Sequence, residues 1–199
     1  MDRDAWNDRY RTAELVWSVD ANQFVVAETT ELRPGRALDL AAGEGRNAIW
    51  LAERGWASTA VDFSDVALDK AAALASARGV ELETVVADVT HYEPTKAAFD
   101  LVLVAYLQLP EAERRTVFGH AADALAPGGT LVIVAHDRAN LDGGYGGPTD
   151  ASVLTTPTDV AAALTGCGLV VEKATTVERS VETPDGVRTA IDHVVRARR

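Results

Sequence analysis

From residue 36 onward, short apolar runs alternate with longer stretches in which apolar positions recur every third or fourth residue. That alternation predicts β-α-β units and a parallel sheet. Arg36 to Ala41 is the first expected strand, entered through the turn Arg33-Pro34-Gly35. A helix follows from about Asn47 to Arg54, with Ala48, Leu51 and Ala52 on one face and Gly55 as its stop. Thr59 to Asp62 is the second strand. Ser64 caps the next helix, and Asp65 in its first turn suits the positive end of the helix dipole. Leu68, Ala71, Ala72 and Ala75 form its buried stripe, and Gly79 ends it. The third strand is Glu83 to Ala87, ending at Asp88, and the fourth is Phe99 to Val104. Pro110 is placed as the first residue of a helix that carries Val117, Ala121 and Leu125. Pro127-Gly128-Gly129 then turns the chain into a fifth strand, Thr130 to Val134. Strands one, four and five are apolar on both faces, as strands covered on both sides must be.

After the fifth strand the pattern changes. The segment from Asp142 to Pro148 holds four of the 15 glycines and reads as a loop with one large side chain, Tyr145. Thr158 is the expected cap of a short helix through Leu164. Two strand-like runs follow, 168–177 and 187–197, joined by the turn Thr183-Pro184-Asp185-Gly186, which predicts a hairpin. The expected fold class is therefore α/β: a Rossmann-like, mostly parallel seven-stranded sheet with helices on both faces and a C-terminal antiparallel hairpin. Residues 1–30 carry no strand pattern and hold Trp6, Tyr10, Trp17 and Phe24, with Trp6 and Tyr10 one helical turn apart. They are expected to form a helical cap on a domain spanning 31–199, closing as a lid rather than joining the core.

Composition narrows the partners more than the fold. A chain of 199 residues with 47% hydrophobic and 25% charged positions is an ordinary globular domain. Its net charge of -11 opposes nucleic acid, and the basic cluster Arg196, Arg198 and Arg199 reads as a solvated tail. A single Cys167 excludes an internal disulfide. No apolar stretch approaches the length of a membrane helix and no signal peptide is visible, so a cytoplasmic protein is expected.

The most informative segment is Leu38-Asp39-Leu40-Ala41-Ala42-Gly43-Glu44-Gly45-Arg46-Asn47. A strand runs through a glycine turn into a helix whose first N–H groups suit an anionic ligand group. Asp62 ends the next strand, 19 residues after Gly43, where a carboxylate accepts both hydroxyls of a ribose. These features fit a dinucleotide, and Gly43-x-Gly45-x-x-Ala48 matches that fingerprint. Three observations pull away from it. Asp39 puts an acid at the tip of the first strand, which suits a cationic amine. Asp88 ends the third strand, in reach of an exocyclic adenine amine. The closing hairpin replaces a further parallel strand.

Asp39-x-Ala41-x-Gly43-x-Gly45 resembles motif I of the class I S-adenosylmethionine-dependent methyltransferases, with Asp62, Asp88 and the Leu125 to Gly129 turn where later motifs lie. Gly43 to Asn47, followed by Ile49-Trp50-Leu51-Ala52, is similar to the tellurite-resistance and thiopurine-like branch that acts on small molecules, as is Trp6-x-x-Arg9-Tyr10. Ala41 departs from the family's first glycine. The resemblance implies S-adenosylmethionine as cofactor. Ala41, Gly43, Gly45 and Asn47 would line its methionine part, with Asp39 near the amine. Asp62, Phe63 and Ser64 would hold the ribose side, and Asp88 and Val89 the adenine. Ala105, Tyr106 and Leu107 would face the methyl donor and acceptor.

Methyl transfer from a sulfonium is an in-line displacement that works largely by alignment and exclusion of water. His136 and Tyr106 are the candidate catalytic groups, since an imidazole accepts a proton near neutral pH. A histidine in that turn is more simply read as hydrogen-bonded locally, and Tyr106 as pocket wall. Asp137, Asn140 and Asp142 read as a polar loop, and His91, His120 and His193 as structural, so no metal site is expected. Trp6, Tyr10, Trp17 and Tyr145 are the substrate and lid candidates. The expected partner is a small acceptor, with neither nucleic acid nor membrane. A nicotinamide-dependent oxidoreductase and a non-catalytic cofactor-binding protein are the competing readings.

Overall fold

The computed structural model describes residues 2–12 and 14–199, so Met1 and Ala13 of the expected cap lie outside the described residues. Seven strands form one sheet in the order β3-β2-β1-β4-β5-β7-β6. They are β1 (Arg36–Leu40), β2 (Ala57–Asp62), β3 (Glu83–Val86), β4 (Phe99–Ala105), β5 (Leu125–His136), β6 (Val170–Thr183) and β7 (Gly186–Arg198). The first five run parallel, and β7 enters antiparallel between β5 and β6. The helices are α1 (Arg3–Arg11), α2 (Gln23–Thr29), α3 (Arg46–Ala52), α4 (Asp65–Ala77), α5 (Glu111–Ala124), α6 (Asn140–Gly143) and α7 (Pro157–Gly166).

Alternation along the central strands explains why they are apolar throughout. Val102 and Val104 of β4 join Leu38, Leu40, Leu131 and Ile133 against Val117, Phe118 and Ala121 of α5 and Leu164 of α7. Leu101 and Leu103 point the other way, with Val132 and Val134, against Val25 of α2, Leu51 of α3 and Trp56. Each face thus has its own core, and the expected two-sided helix cover is observed. The first 30 residues divide accordingly. α2 belongs to the core through Val25, whereas α1 packs on α4.

Several local readings are corrected. α7 is capped by Thr156, not Thr158: Pro157 takes the first helical position, and Thr156 and Asp159 form a reciprocal capping box. Pro110 is the N-cap of α5 rather than its first turn. Pro127-Gly128-Gly129 does not interrupt the strand but makes an irregularity inside β5, with Gly128 at φ 81°. The glycine-rich loop begins with the short helix α6. The hairpin is longer than its sequence pattern. β5 ends opposite Asp192, while β6 and β7 stay paired out to Thr183 and Gly186, so residues 178–191 overhang the C-terminal edge of the sheet. Among the described residues no helix is long and apolar enough to cross a membrane.

Candidate active site

The strand order reverses between β1 and β4, and in such sheets ligands bind at that point beyond the C-terminal strand ends. Asp39 of β1 stands there, 2% exposed, and neither of its carboxylate oxygens has a hydrogen-bond partner. Burial pushes its pKa up to about 7, against the opposing pull of the Arg46 guanidinium. Ala41 follows at φ 60°, a left-handed conformation that costs an alanine strain and a glycine none. Gly43 and Gly45 are left-handed too, at φ 55° and 74°. A Cβ at Gly45 would meet that of Ala71 at 2.8 Å, so the loop is pressed onto α4.

Asp62, at the end of β2, ties the loop down. One oxygen accepts the Gly43 N–H at 2.8 Å and the other the Ser64 N–H at 2.9 Å. Burial raises its pKa, opposed by those backbone donors. A carboxylate offers about four lone-pair sites, so beyond these backbone donors it retains capacity for a further one. Ser64 is fully buried; its hydroxyl caps α4 and donates to Asn7 of α1. Asp88 is half-exposed and accepts from the Thr90 backbone and hydroxyl, while Val89 is buried in the core behind it. Phe63 is half-buried beside Asp62.

The segment before α2 lies against this loop. Glu44, buried in the glycine turn, accepts the N–H groups of Val16 and Trp17 and pairs with Lys70 of α4 at 3.1 Å. Lys70 also reaches the Tyr10 carbonyl. The Tyr10 hydroxyl lies 2.9 Å from where a Cβ of Gly43 would be. Trp6 stacks on Tyr10 at 5.5 Å and tilts against Trp17 at 6.3 Å, with Arg9 over both indoles. Three of the four lid candidates therefore form one aromatic cluster at the loop. Tyr145 stands apart, 45% exposed, its N–H on the Thr189 carbonyl of the hairpin.

A second polar assembly crosses β4, β5, β7 and β6. Tyr106 follows β4 at φ 57°, again a strained left-handed non-glycine, with Ala105 and Leu107 half-buried beside it. Its hydroxyl donates to Asp192 Oδ2 at 2.7 Å and accepts from Asn22 Nδ2 at 3.1 Å. Arg179 Nε donates to the same Oδ2 at 2.8 Å, and His136 Nδ1 lies 2.9 Å from Oδ1. Asp192 is wholly buried. Burial acts to raise its pKa, but the bonds from His136, Arg179 and Tyr106 outweigh it and hold the carboxyl below its ordinary value. Tyr106 is pushed up to about 12 by burial and by Asp192, so it stays a donor. Asn47 Oδ1 accepts the Asn22 N–H at 2.9 Å, which links this assembly to the start of α3.

Thus Tyr106 is more than wall, and His136 is hydrogen-bonded, though to a residue far away in sequence. The sequence reading missed Asn22, Arg179 and Asp192. One signal was available for Asp192: an acid and a histidine, Asp192-His193, interrupt the apolar run of the last strand. Asn22 and Arg179 carry no such mark. The neighbouring polar residues do structural work. Asp137 accepts from the Ala139 N–H and the Thr176 hydroxyl, and Asn140 holds Gly146 and Ile191. Burial drives the pKa of His193 down to about 4, so it is a neutral core histidine.

Residues 37–129 match the family described as a methyltransferase domain. The demethylmenaquinone methyltransferase of Thermus thermophilus is 37% identical over 124 residues, 61% of this chain and 54% of that protein. A 2-heptyl-1-hydroxyquinolin-4(1H)-one methyltransferase of Mycobacteroides abscessus is 27% identical over 141 residues, 68% of this chain and 62% of that protein. The chain therefore spans little more than half the length of these relatives. A solved S-adenosylmethionine-dependent methyltransferase structure from Methanosarcina mazei superposes with a TM-score of 0.69 at 18% identity, covering 90% of this chain and 98% of that one. The resemblance to class I S-adenosylmethionine-dependent methyltransferases is borne out in domain and fold. These matches do not single out the tellurite-resistance and thiopurine-like branch.

Proposed function

We propose that this chain, whose residues 37–129 are a methyltransferase domain on the class I S-adenosylmethionine-dependent fold, transfers a methyl group from S-adenosylmethionine to a small aromatic acceptor. One observation carries the reading: Asp39 is a buried carboxylate with no hydrogen-bond partner, held at the ligand end of β1 beside a left-handed glycine loop. An unpaired buried carboxylate costs several kcal/mol unless a cation meets it, about 3 to 5 by analogy with broken buried pairs. The donor's ammonium group is such a cation. Asp62 has acceptor capacity left for a ribose hydroxyl, and a side chain at Gly43 would fill the space at the loop. Asp88 and Val89 would hold the adenine, and Phe63 would pack on the adenosine.

When bound, the donor supplies an electrophilic methyl group on a positively charged sulfur. The chain's own task is to align and dry the reacting atoms. Tyr106, fixed by Asp192 and Asn22, bounds the place where donor and acceptor meet. The N-terminal segment, latched by Glu44, would shut out water as a lid. Slower hydrogen exchange in residues 14–20 on adding S-adenosylhomocysteine is expected, and unchanged exchange would make the segment a permanent strut.

The acceptor reading draws on the relatives, whose names give a demethylated menaquinone and a hydroxyquinolinone as substrates. The net charge of -11 supports a small molecule over nucleic acid. Thermal-shift titration tests the core claim. S-adenosylhomocysteine should raise the melting temperature and NADH should not; the reverse would restore the oxidoreductase reading.

A further inference from the structure

Alignment alone needs neither a buried aspartate nor a histidine beside it, yet the acceptor side of the edge holds both. Asp192 Oδ1 lies on His136 Nδ1 at 2.9 Å. A carboxylate there fixes the tautomer with hydrogen on Nδ1, leaving the lone pair on Nε2. Among the described residues Nε2 makes no hydrogen bond, and the imidazole is 13% exposed, so one ring edge is open to a ligand. Arg179 and Tyr106 saturate the other oxygen of Asp192. The charged and titratable groups around His136 are thus Asp192 on β7, Tyr106 after β4 and Arg179 on β6, with His193 and Asp137 behind it.

Position adds the second argument. β5 is two strands from β1, roughly 10 Å at the usual strand spacing. Between the donor end at Asp39 and the imidazole lie Tyr106 and the Arg46 guanidinium, whose charge acts on Asp39, Tyr106 and Arg179 alike, so a small flat acceptor there would lie against both. The walls there are flat too. The Tyr106 and His136 ring centres are 4.8 Å apart, Arg179 lies 5.8 Å from the Tyr106 ring centre, and Gly147 is laid against the imidazole. The overhanging hairpin, 178–191, carries Arg179 beyond the sheet edge, and the loop after β5 is bonded to it through Tyr145 and Asn140.

We propose that His136, oriented by Asp192, is the base that removes the acceptor's proton, and that the acceptor is an aromatic compound bearing a weakly acidic hydroxyl; this rests on the methyl-transfer reading above. Among heteroatom acceptors the chemistry selects the hydroxyl. An amine attacks through its own lone pair and sheds its proton afterwards. A thiol ionises at about 8.5 and needs little help, whereas a phenolic hydroxyl at about 10 is mostly protonated near neutrality. In the step, the O–H bond breaks as its proton passes to Nε2, and Asp192 balances the resulting imidazolium. The oxygen forms a bond to the methyl carbon as the methyl–sulfur bond breaks. That bond's electron pair goes to sulfur, leaving a neutral thioether. The imidazolium then releases its proton to water.

The test uses the full chain, S-adenosylmethionine and a series of substituted 2-naphthols of graded acidity. His136→Gln should bind S-adenosylhomocysteine as the wild type does. It should lose about a hundredfold in kcat on the least acidic naphthol, the usual scale for a removed base. On naphthols already ionised at the assay pH it should lose little. Equal losses across the series would make His136 a positioning residue, and undiminished kcat would remove it from the reaction. The wild type alone gives a check that needs no variant. Its rate should depend weakly on naphthol acidity and show a solvent deuterium isotope effect; a steep dependence without that effect overturns the base. A wild type that binds S-adenosylhomocysteine but methylates no naphthol overturns the hydroxyl acceptor. One that does not bind S-adenosylhomocysteine overturns the methyl-transfer reading itself.

Discussion

Asp39 and Asp192 are both buried aspartates at the same edge of one sheet, and they are wired in opposite ways. Asp192 receives three donors from three different elements, and its pKa lies below the ordinary value. Asp39 receives none, and burial has carried its pKa up to about 7. The first is a finished piece of structure whose charge is already satisfied. The second has no hydrogen-bond partner and only the pull of Arg46 across space until a ligand's cation arrives. A buried carboxylate is therefore not one kind of object: its partners decide whether it stabilises the fold or stores a demand for a ligand.

The largest effect should come from breaking the finished one. Asp192→Ala leaves the donors of Arg179, Tyr106 and His136 without their common acceptor, and unfolding free energy should fall by about 3 to 5 kcal/mol. Urea denaturation measures it. A loss well under 1 kcal/mol would mean that water replaces Asp192 and that the assembly is not a unit.

Next comes a carboxylate that serves both ends. Asp62→Ala removes the acceptor that anchors the glycine loop and the one proposed for the ribose. Binding of S-adenosylhomocysteine should weaken at least tenfold, given about 1.5 to 3 kcal/mol per hydrogen bond to a charged group. Calorimetric titration with an unchanged dissociation constant would remove Asp62 from the site.

Asp39→Asn sharpens the contrast, because its sign should be opposite to that of Asp192→Ala. An acid whose folded pKa is raised to about 7 holds a proton that the unfolded chain has lost above about pH 4. Stability should fall as pH rises from about 4 to 7 and level off above. The amide has no charge to bury, so at about pH 8 the variant should be more stable by about 1 to 2 kcal/mol, the unpaired amide offsetting part of the gain. Donor binding should run the other way. In the wild type it should tighten as pH rises towards 7, since the ammonium wants the ionised form, and in the variant it should be weaker and flat. A variant no more stable at alkaline pH and binding normally would show that Asp39 meets no amine.

The two ends also differ in how much of them the sequence displays. Gly43 and Asp62 are 19 positions apart and joined by one hydrogen bond, within a single β-α-β unit. Local turn chemistry and strand ends suffice to see such a site. At the other end the pairs are 56, 84 and 86 positions apart. Nothing local requires Arg179 to meet Tyr106; the hairpin register does, and register depends on the whole sheet. The sheet, its hairpin and the two-sided helix cover were legible because alternation and turn residues are local signals. The overhang of residues 178–191 was not, since β6 alternates in burial without a break from Ala174 to Thr183 and shows no seam where β5 stops.

Ala41 gives the smallest and most exacting test. It holds φ 60° in the turn between Asp39 and Gly43, where the related motif has glycine. Left-handed backbone costs a non-glycine residue about 1 to 2 kcal/mol, and Ala41→Gly relieves that strain. The same change loosens the unfolded chain, which costs about 0.4 to 1 kcal/mol. The difference should be a gain of up to about 1.5 kcal/mol, a rise of a few degrees in Tm. Donor affinity should stay within about twofold, because the substitution leaves Asp39, Gly43 and Asp62 where they are. A clear loss of stability would mean that the Ala41 methyl, which lies against the core beside Leu40, packs well enough to outweigh its strain. In that case the alanine is a stabilising replacement for glycine, and the donor end is as finished in its packing as it is unfinished in its charge.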